Sequence, residues 1–270
     1  MSQVRLDHST VIGRGRNSVV FAGTFQDKQV AVKRVGKKEV HLQWKNEYEM
    51  CEKKMTALDH PNVLKMISIY TDEDFCYFVL DLCVCNLSQY CKGKYTGSVP
   101  TYDDGLFQMI SGLHYIHSQG YIHRNITPES VLLSSMNQFK ISDFGLVYPK
   151  FCYKEYSTSI DYEPSITMEA PEILINDSEC SSLKESEAKH TIASDIFSLG
   201  CVLYTFLTKG GHPFYSGKRG KFLVPSNIIQ GKHSFSNNVN YLHIIEPMIK
   251  KFPEERISLE KVLSNWKITE

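Results

Sequence analysis

The sequence predicts an α+β fold of two lobes, a small β-rich amino-terminal lobe and a larger helical carboxy-terminal lobe. Short segments rich in Val and Phe, separated by glycine-containing and polar turns, fill the first third of the chain. Apolar residues at helical spacing dominate the remainder. The 270 residues are 42% hydrophobic and 22% charged, which fits one or two closely packed lobes and excludes a disordered or fibrous chain. We expect a cleft between the lobes.

The predicted elements follow from the spacing of apolar residues and from the turns between them. Strands are predicted over residues 9–12, 18–24, 28–35, 67–70 and 76–80. Helices are predicted over residues 41–58, 102–118, 191–208, 239–251 and 259–266. The polar segment 178–189, rich in Ser, Glu and Lys, is predicted to be an exposed loop.

Charge, hydropathy and cysteine spacing exclude several classes of protein. The 30 basic residues balance the 30 acidic ones, which argues against a dedicated nucleic-acid binder. No apolar run reaches the roughly 18 to 20 residues of a membrane span, and residues 1–10 lack the apolar core of a signal peptide. The 8 scattered cysteines favour free thiols in a reducing compartment. We expect a cytoplasmic protein with no membrane or nucleic-acid partner, and a nuclear location is left open.

A glycine turn and a strand lysine are the first candidates for chemistry. Gly13 and Gly15 lie between two predicted strands, a pattern that fits a phosphate-binding turn and an ordinary hairpin equally well. Lys33 closes the apolar segment 30–32, where a lysine is costly unless it meets an anion. A glycine turn, a strand, a lysine and a helix with glutamates together form a rarer pattern than any of them alone.

Two blocks in the middle of the chain make the pattern specific. Residues 121–133, YIHRNITPESVLL, resemble the catalytic loop of protein kinases, and residues 140–146, KISDFGL, resemble their metal-binding turn. Ala-Pro-Glu at 170–172 and the spacing of Asp195 and Gly200 match two further kinase motifs. The chain therefore resembles serine/threonine protein kinases from residue 6 to 266. This resemblance implies the bilobal protein-kinase fold in one domain, residues 1–270, with an N-lobe of about 1–82 and a C-lobe of about 83–270.

Within that family, the chain resembles most the kinase half of the inositol-requiring stress-sensor kinase/endoribonucleases. The shared features are Lys33-Arg34, HPNV at 60–63, LDLC at 80–83 and GHPF at 211–214. The resemblance implies signalling in a stress response, and it leaves open a homodimer or a related kinase as the protein partner. Because the sequence stops at Glu270, no ribonuclease domain is expected after the kinase helices.

The resemblance implies an ATP site between the lobes. Lys33 would contact the α- and β-phosphates, and its glutamate partner would be Glu47, which fits the family pattern better than Glu49 or Glu52. Asp143 would hold one Mg²⁺, a hard cation that prefers carboxylate oxygen. The other implied nucleotide contacts are Gly13, Gly15 and Ser18 in the turn, Val20, Ala31 and Leu133 as walls of the adenine pocket, Leu80 as gatekeeper, and the backbone of Asp81 and Cys83.

Three positions of the catalytic loop depart from the kinase pattern. Asn125 replaces the aspartate that accepts the substrate proton, and an amide is no base at neutral pH. Thr127 replaces the lysine near the γ-phosphate, and Ser130 replaces the second metal-binding asparagine. General-base catalysis contributes on the order of 10²–10⁴-fold, so these changes predict a pseudokinase that is inactive or severely impaired.

Several alternatives are left open. The leading one is a nucleotide-regulated scaffold or allosteric partner, the second a slow serine/threonine kinase, and the third an interaction module that never binds ATP, which Ser18 in place of the third glycine favours. Arg124 would order a phosphorylated segment if the hydroxyls at 156–159 are modified; otherwise these hydroxyls are simply solvated. Arg256 and Glu172 are predicted to form a buried structural pair.

Overall fold

The computed structural model describes residues 4–15, 18–37, 56–143, 167–179, 190–215, 220–236 and 238–266. Glu47, its competitors Glu49 and Glu52, and the hydroxyls at 156–159 lie outside the described residues. Of the predicted helix 41–58 only the end is described, and its residues 56 and 57 are helical. The predicted loop 178–189 is wrong at its start, because a helix continues through Glu179; residues 180–189 lie outside the described part.

A five-stranded antiparallel sheet forms the amino-terminal region, with the order β1-β2-β3-β5-β4. Its strands are β1 (Arg5–Arg14), β2 (Ser18–Phe25), β3 (Lys28–Gly36), β4 (Met66–Thr71) and β5 (Phe75–Asp81). The five predicted strands are thus confirmed; four are one or two residues longer than predicted, and β1 starts four residues earlier and ends two residues later than the predicted 9–12. The central strand β3 buries Val30 and Val32 on one face and Ala31 and Val35 on the other, which explains its almost continuous apolar sequence.

A second, three-stranded antiparallel sheet opens the carboxy-terminal region, in the order β6-β7-β8. It consists of β6 (Cys83–Asn86), β7 (Val131–Ser134) and β8 (Phe139–Ile141). The sequence did not predict these strands, because three or four residues are too few to show a period. The loop 121–130 runs directly into β7, so this small sheet fixes one end of it.

Helices make up most of the remaining described chain. They are α1 (Leu87–Cys91), α2 (Tyr102–Ser118), α3 (Pro171–Glu179), α4 (Ile192–Leu207), α5 (Gly220–Gln230), α6 (Leu242–Met248) and α7 (Leu259–Trp266), with a 3-10 turn at Pro253–Glu255. The predicted helices 102–118, 191–208 and 259–266 are confirmed. The predicted helix 239–251 is too long at both ends, because Tyr241 has a left-handed backbone (φ 68°) and the helix stops at Met248. No helix in the described part of the chain is both long and apolar enough to cross a bilayer.

The segment after the described end of the 41–58 helix ties the two regions together. The side-chain amide of Asn62 donates to the backbone carbonyl of Phe139 (3.0 Å). The backbone carbonyl of Asn62 accepts from the backbone N–H of Ile141 (2.9 Å). Gly112 on α2 faces the same carbonyl, and a Cβ at this position would collide with it. The missing side chain of Gly112 therefore lets the segment lie against α2.

Candidate active site

Gly13 and Gly15 lie at the end of β1 where the chain turns into β2. Gly13 lies opposite Val20, and the Gly15 amide donates to the Ser18 carbonyl (2.8 Å). A Cβ on Gly15 would lie 2.6 Å from the Ser18 hydroxyl oxygen. The serine at the third glycine position therefore fills space beside Gly15, and a side chain at residue 15 would require the Ser18 hydroxyl to rotate away.

Lys33 and Asp143 form an ion pair between the two regions. The Lys33 Nζ lies 2.6 Å from Asp143 Oδ1, with the lysine side chain 9% exposed and the aspartate side chain 35% exposed. Burial acts to raise the pKa of Asp143, but the adjacent ammonium outweighs it and the pKa lies below its ordinary value. Asp143 also has a left-handed backbone (φ 67°), which is uncommon for a residue other than glycine. An anionic carboxylate that solvent can reach is thus held against a buried cation.

The predicted walls of the adenine pocket belong to one apolar cluster. Ala31 lies opposite Leu80 in the pairing of β3 with β5, and Leu133 comes from β7 of the other sheet. All three are buried, and Val20 and Cys83 pack against the same cluster. Ala31 and Leu80 are thus paired across two strands, and all five side chains belong to the main apolar core, while their role as walls of an adenine pocket stays a prediction.

The hinge between the sheets lies between β5 and β6. The Asp81 amide donates to the Lys65 carbonyl (3.1 Å), so this N–H is already satisfied within the protein. Burial raises the pKa of the Cys83 thiol to about 12, which keeps it protonated and poorly nucleophilic at neutral pH. The Cys83 thiol is therefore unsuited to covalent chemistry, which leaves the predicted role of Cys83, a backbone hydrogen bond to the nucleotide.

Asp195 on α4 supports the catalytic loop from below. Its carboxylate accepts the backbone N–H of His123 (2.7 Å) and of Arg124 (2.8 Å). His117 contacts the same carboxylate through Nε2 (2.9 Å). The Asp195 side chain is almost fully buried, and its contacts fix two successive loop residues, including Arg124 with its left-handed backbone (φ 69°).

His123 anchors the loop from inside. Its Nδ1 accepts a hydrogen bond from the backbone N–H of Asn125 (3.3 Å). Nε2 lies 2.7 Å from the backbone carbonyl of Ser142, so Nε2 carries the proton. Burial lowers the pKa of His123 and keeps the ring neutral. The side chains of Arg124 and Asn125 are exposed at the surface of this rigid frame. Asn125 therefore lies at an open position of the loop and carries an amide instead of a carboxylate.

Thr127 and Ser130 close a small turn on each other. The Thr127 amide donates to the Ser130 hydroxyl oxygen (3.0 Å), and this hydroxyl donates back to the Thr127 carbonyl (3.0 Å). The Ser130 side chain is buried. The backbone carbonyl of Ser130 accepts hydrogen bonds from the backbone N–H and from the hydroxyl of Ser142. Ser130 was predicted to face the nucleotide site, but its hydroxyl is engaged within the turn.

Arg256 and Glu172 form the predicted structural pair away from the cleft. Both terminal nitrogens of Arg256 lie 2.7 Å from the Glu172 carboxylate oxygens. The arginine side chain is fully buried, which agrees with a structural rather than a ligand-binding role.

Sequence reasoning missed the supporting contacts of His117 and Ser142. Neither residue type is diagnostic at its position, and His117 lies 78 residues from Asp195 in the chain. A signal for Ser142 did exist, because it directly precedes Asp143 in the metal-binding turn.

Comparison with known proteins agrees with this geometry. The sequence profile of the protein kinase domain matches residues 6–266. The serine/threonine-protein kinase/endoribonuclease ireA of Aspergillus fumigatus is 30% identical over an alignment that covers 86% of this chain and 22% of ireA. The sensor for unfolded proteins in the ER, ire1, of Schizosaccharomyces pombe is 30% identical over 94% of this chain and 26% of its own length.

A second group of relatives comes from another kinase type. The serine/threonine-protein kinase PLK4 of Xenopus laevis is 29% identical over 87% of this chain and 24% of its own length. The chain thus spans about a quarter of the length of the curated relatives it matches. Because the profile match covers nearly all of the chain and includes every motif described above, the chain belongs to the protein kinase family.

Proposed function

We propose that the protein is a nucleotide-binding pseudokinase that acts as a scaffold, with ATP ordering the two lobes for a protein partner. The observation that carries this proposal is the contrast between the two halves of the cleft. Lys33 and Asp143 are together and charged, whereas Asn125 offers no carboxylate and the Ser130 hydroxyl is tied to Thr127. The cleft therefore keeps its groups for binding and lacks those for phosphoryl transfer.

The residues present fit ATP and a magnesium ion. Lys33 would contact phosphate oxygens and Asp143 would hold the cation, since both partners of the ion pair carry the charge required. Within the described ranges, no three acidic, histidine or cysteine side chains gather as a complete metal site. The proposed Mg²⁺ would therefore take its other ligands from phosphate and water. Lys33 would contact the ATP phosphates directly, and Asp143 would interact with them through the cation.

Two positions of the catalytic loop support a low rate of phosphoryl transfer: Asn125 cannot act as a base, and Thr127 carries no charge near the γ-phosphate. A positioned base contributes on the order of 10²–10⁴-fold to a rate. Phosphoryl transfer also depends on cations aimed at the developing charge, and neutral Thr127 supplies none. The engaged Ser130 hydroxyl leaves one lone pair at most for a second metal ion.

A thermal-shift titration with Mg·ATP tests the proposed binding. At about 100 times its dissociation constant, a ligand stabilises the folded state by about 2.7 kcal/mol, so the melting temperature should rise by several degrees. Lys33→Ala should abolish the rise, and Lys28→Ala, which removes an exposed lysine at the other end of β3, should leave it unchanged. A wild-type protein with no shift at millimolar Mg·ATP would contradict nucleotide binding and favour the pure interaction module.

A slow serine/threonine kinase is the second candidate. The structure of the loop favours this candidate, because Asp195 accepts the backbone N–H groups of His123 and Arg124 and so fixes the loop. A fixed loop would still position a substrate hydroxyl near Asn125. Transfer of radiolabelled phosphate from ATP to a generic protein substrate, absent in Asp143→Ala, would establish this activity. The triple variant Asn125→Asp, Thr127→Lys, Ser130→Asn should raise the transfer rate at least about 100-fold, since it restores the base and the charge.

We also propose that residues 1–270 form one kinase-like domain whose lobes meet near residue 82, as the end of β5 at Asp81 and the start of β6 at Cys83 support. The likeness to ire1, which is named as a sensor for unfolded proteins, supports a role in stress signalling. A homodimer or a related kinase as partner and a cytoplasmic location stay predictions.

A further inference from the structure

The five-stranded sheet carries a pocket with a volume of about 250 Å³. The residues that line it come from β1, β2, β3, β5 and the turn between the first two strands. Among these described residues are two arginines and an aromatic ring but no acidic side chain: Arg14, Gly15, Ser18, Val19, Arg34 and Phe75. We call this site the arginine pocket.

The arginine pocket lies on the face of the sheet opposite to Lys33. Arg34 directly follows Lys33 in β3, and successive side chains of a strand point to opposite faces. Phe75 packs against the apolar cluster that contains Val32, whereas Val20, which lies opposite Lys33, packs against the main apolar core. The sheet therefore separates the arginine pocket from Lys33, although both sites include residues of the glycine turn.

The two arginines belong to one row of side chains across three strands. Arg14 of β1 lies opposite Val19 of β2, and Val19 lies opposite Arg34 of β3. Residues directly opposite each other project from the same face of a sheet. Because neighbouring strands are about 4.8 Å apart, the backbones at the two arginines are about 10 Å apart, with the smaller Val19 between them. Two long arginine side chains can therefore converge on one anion above Val19.

Aromatic rings orient the half-buried Arg34 side chain. Its guanidinium carbon lies over two rings, 4.5 Å from the centroid of Phe75 and 5.1 Å from that of Phe21. A guanidinium stacked by its face keeps its N–H groups at the edge, where they donate in the plane. The group also faces the Tyr77 hydroxyl, which engages a part of its five N–H groups. Arg34 thus holds further donors in a fixed direction.

The acidic residues near the arginine pocket have other partners or lie in solvent. The turn 72–74 precedes Phe75, and its three acidic residues are exposed. The Asp72 carboxylate accepts two backbone N–H groups, of residues 74 and 75, and the Tyr77 hydroxyl (2.7 Å). The Tyr77 hydrogen bond and, to a lesser degree, the Lys37 ammonium hold the pKa of Asp72 below its ordinary value. Within the described part of the chain, neither pocket arginine forms an ion pair.

We propose that the arginine pocket binds the phosphate group of a phosphorylated serine or threonine in a segment of a partner protein. The planar fork of arginine matches phosphate oxygens, and paired arginines are a common means of recognising phosphorylated segments. The proposal goes beyond the nucleotide-regulated function, because Arg14 and Arg34 are no part of the proposed ATP site and the pocket is available whether or not the cleft binds ATP.

The size and lining of the arginine pocket favour a phosphorylated side chain over a free molecule. Its volume of about 250 Å³ is below the roughly 300–1,000 Å³ of pockets that enclose drug-sized ligands. Arg14 and Gly15 at its rim are exposed, so the end of a side chain can enter while its backbone stays outside. Apolar Val19 and the Phe75 ring offer contacts to the carbon atoms of such a residue, whereas a free phosphate ion has no carbon atoms to place there.

Screening the full chain against an array of peptides with a central phosphoserine tests the proposal. The peptide that binds best, synthesised with a fluorescent label, should bind at least about 10-fold more tightly than its unphosphorylated form in fluorescence anisotropy. Arg14→Gln and Arg34→Gln should each weaken its binding about 10-fold or more, because each removes charged hydrogen bonds to the phosphate. An array without a binding peptide, equal binding of the unphosphorylated form, or unchanged binding by both variants would overturn the proposal.

Matched controls exclude general effects of surface charge and of folding. Arg5→Gln removes an exposed arginine at the other end of β1, and Lys28→Gln an exposed lysine at the other end of β3; both should bind the peptide like the wild type. Arg14 is exposed, so Arg14→Gln should melt at the wild-type temperature and tests the site even if Arg34→Gln is unstable. Equal weakening by Arg5→Gln and Arg14→Gln would overturn the proposal in favour of non-specific attraction.

Three further measurements separate the arginine pocket from the cleft and from other ligands. Lys33→Ala should bind the peptide normally, so that failure of nucleotide binding and failure of the pocket are distinguishable; loss of peptide binding in this variant would place the peptide in the cleft and overturn the proposal. Inorganic phosphate that displaces the labelled peptide as effectively as the unlabelled phosphopeptide would overturn it in favour of a free anion. Sedimentation with phosphatidic acid vesicles that Arg14→Gln abolishes would overturn it in favour of a membrane surface.

Discussion

Two ion pairs, Lys33–Asp143 in the cleft and Arg256–Glu172 in the helical region, differ in how completely the protein satisfies them. All five N–H groups of Arg256 have acceptors: two on Glu172 and three on the backbone carbonyls of Ala193, Lys250 and Lys251. Lys33 makes one hydrogen bond among the described residues, to Asp143, whose side chain is 35% exposed.

This difference separates a structural pair from a pair that is ready for a ligand. Arg256 has no donor left for another anion, and its partner Glu172 is only 22% exposed. Lys33 has two further N–H groups, and its hydrogen bond to Asp143 uses Oδ1 and leaves Oδ2 out. The same interaction type thus holds α3 to the end of the chain in one place and leaves unused hydrogen-bonding capacity in the other.

The largest effect is expected at Arg256. Arg256→Met should lower the free energy of unfolding by about 3–5 kcal/mol, because it leaves Glu172 and three carbonyls without their donor. Urea denaturation measures this loss. Lys250→Met, which breaks the exposed pair with Glu246 (3.1 Å), is the control and should cost less than about 0.5 kcal/mol. A cost at Arg256 as small as at Lys250 would contradict the structural role.

A second, intermediate effect is expected at Asp195, a buried carboxylate whose partners are mainly backbone. Asp195→Asn should cost about 2–3 kcal/mol in the same denaturation experiment, because hydrogen bonds to a charged group are lost or weakened. The variant should also lose any residual phosphate transfer, since His123 and Arg124 would no longer be fixed. Unchanged stability would show that the catalytic loop holds itself without α4.

A smaller effect on stability is expected at Lys33. Lys33→Met should change the free energy of unfolding by less than about 1 kcal/mol without nucleotide, because Asp143 can be hydrated and a buried lysine is replaced by an apolar side chain. Denaturation of Lys33→Met and Arg256→Met side by side compares the two pairs directly. An equal loss in both would break the distinction between them.

The smallest effect is the pH dependence of the cleft pair. The folded pKa of Asp143 lies below its unfolded value of about 3.9, so its contribution to stability is present above that value and is lost as the pH falls through the folded pKa. The difference in unfolding free energy between wild type and Asp143→Asn should therefore be constant from pH 7 to 5 and shrink below about pH 4. A difference that shrinks already near pH 6 would contradict the sign of this pKa shift.

The sequence predicted the five-stranded sheet and the main helices because their periods are long enough to read. Helix α2 matches its predicted limits, and α4 is bounded by the caps Thr191 and Thr208, the predicted end residues. The three-stranded sheet was missed because its strands have three or four residues and gain stability from pairing with distant segments. The helix 239–251 was overestimated because apolar spacing cannot reveal the left-handed Tyr241.

The candidate site was predicted in the same uneven way. Motifs placed Lys33 and Asp143 at the cleft and Asp195 in the helix beneath the catalytic loop, since each of these residues stands in a specific sequence context. The engagement of Ser130 with Thr127 was not foreseen, because a hydroxyl has no sequence signature for its partner. In the same way, Phe222, Leu223 and Val224 form one apolar run, and only the packing of α5 shows that the first two are exposed.

The sequence by itself determined the kinase family, the five-stranded sheet and three of the main helices, and it places an asparagine at residue 125. These features depend on residue types and on spacing along the chain, which the sequence states directly. Only the tertiary structure decided which charges are satisfied, which hydroxyls are engaged and which apolar side chains face solvent. The physical reason is that burial and hydrogen bonding depend on neighbours brought together from distant positions, such as Arg256 with Glu172, 84 residues apart.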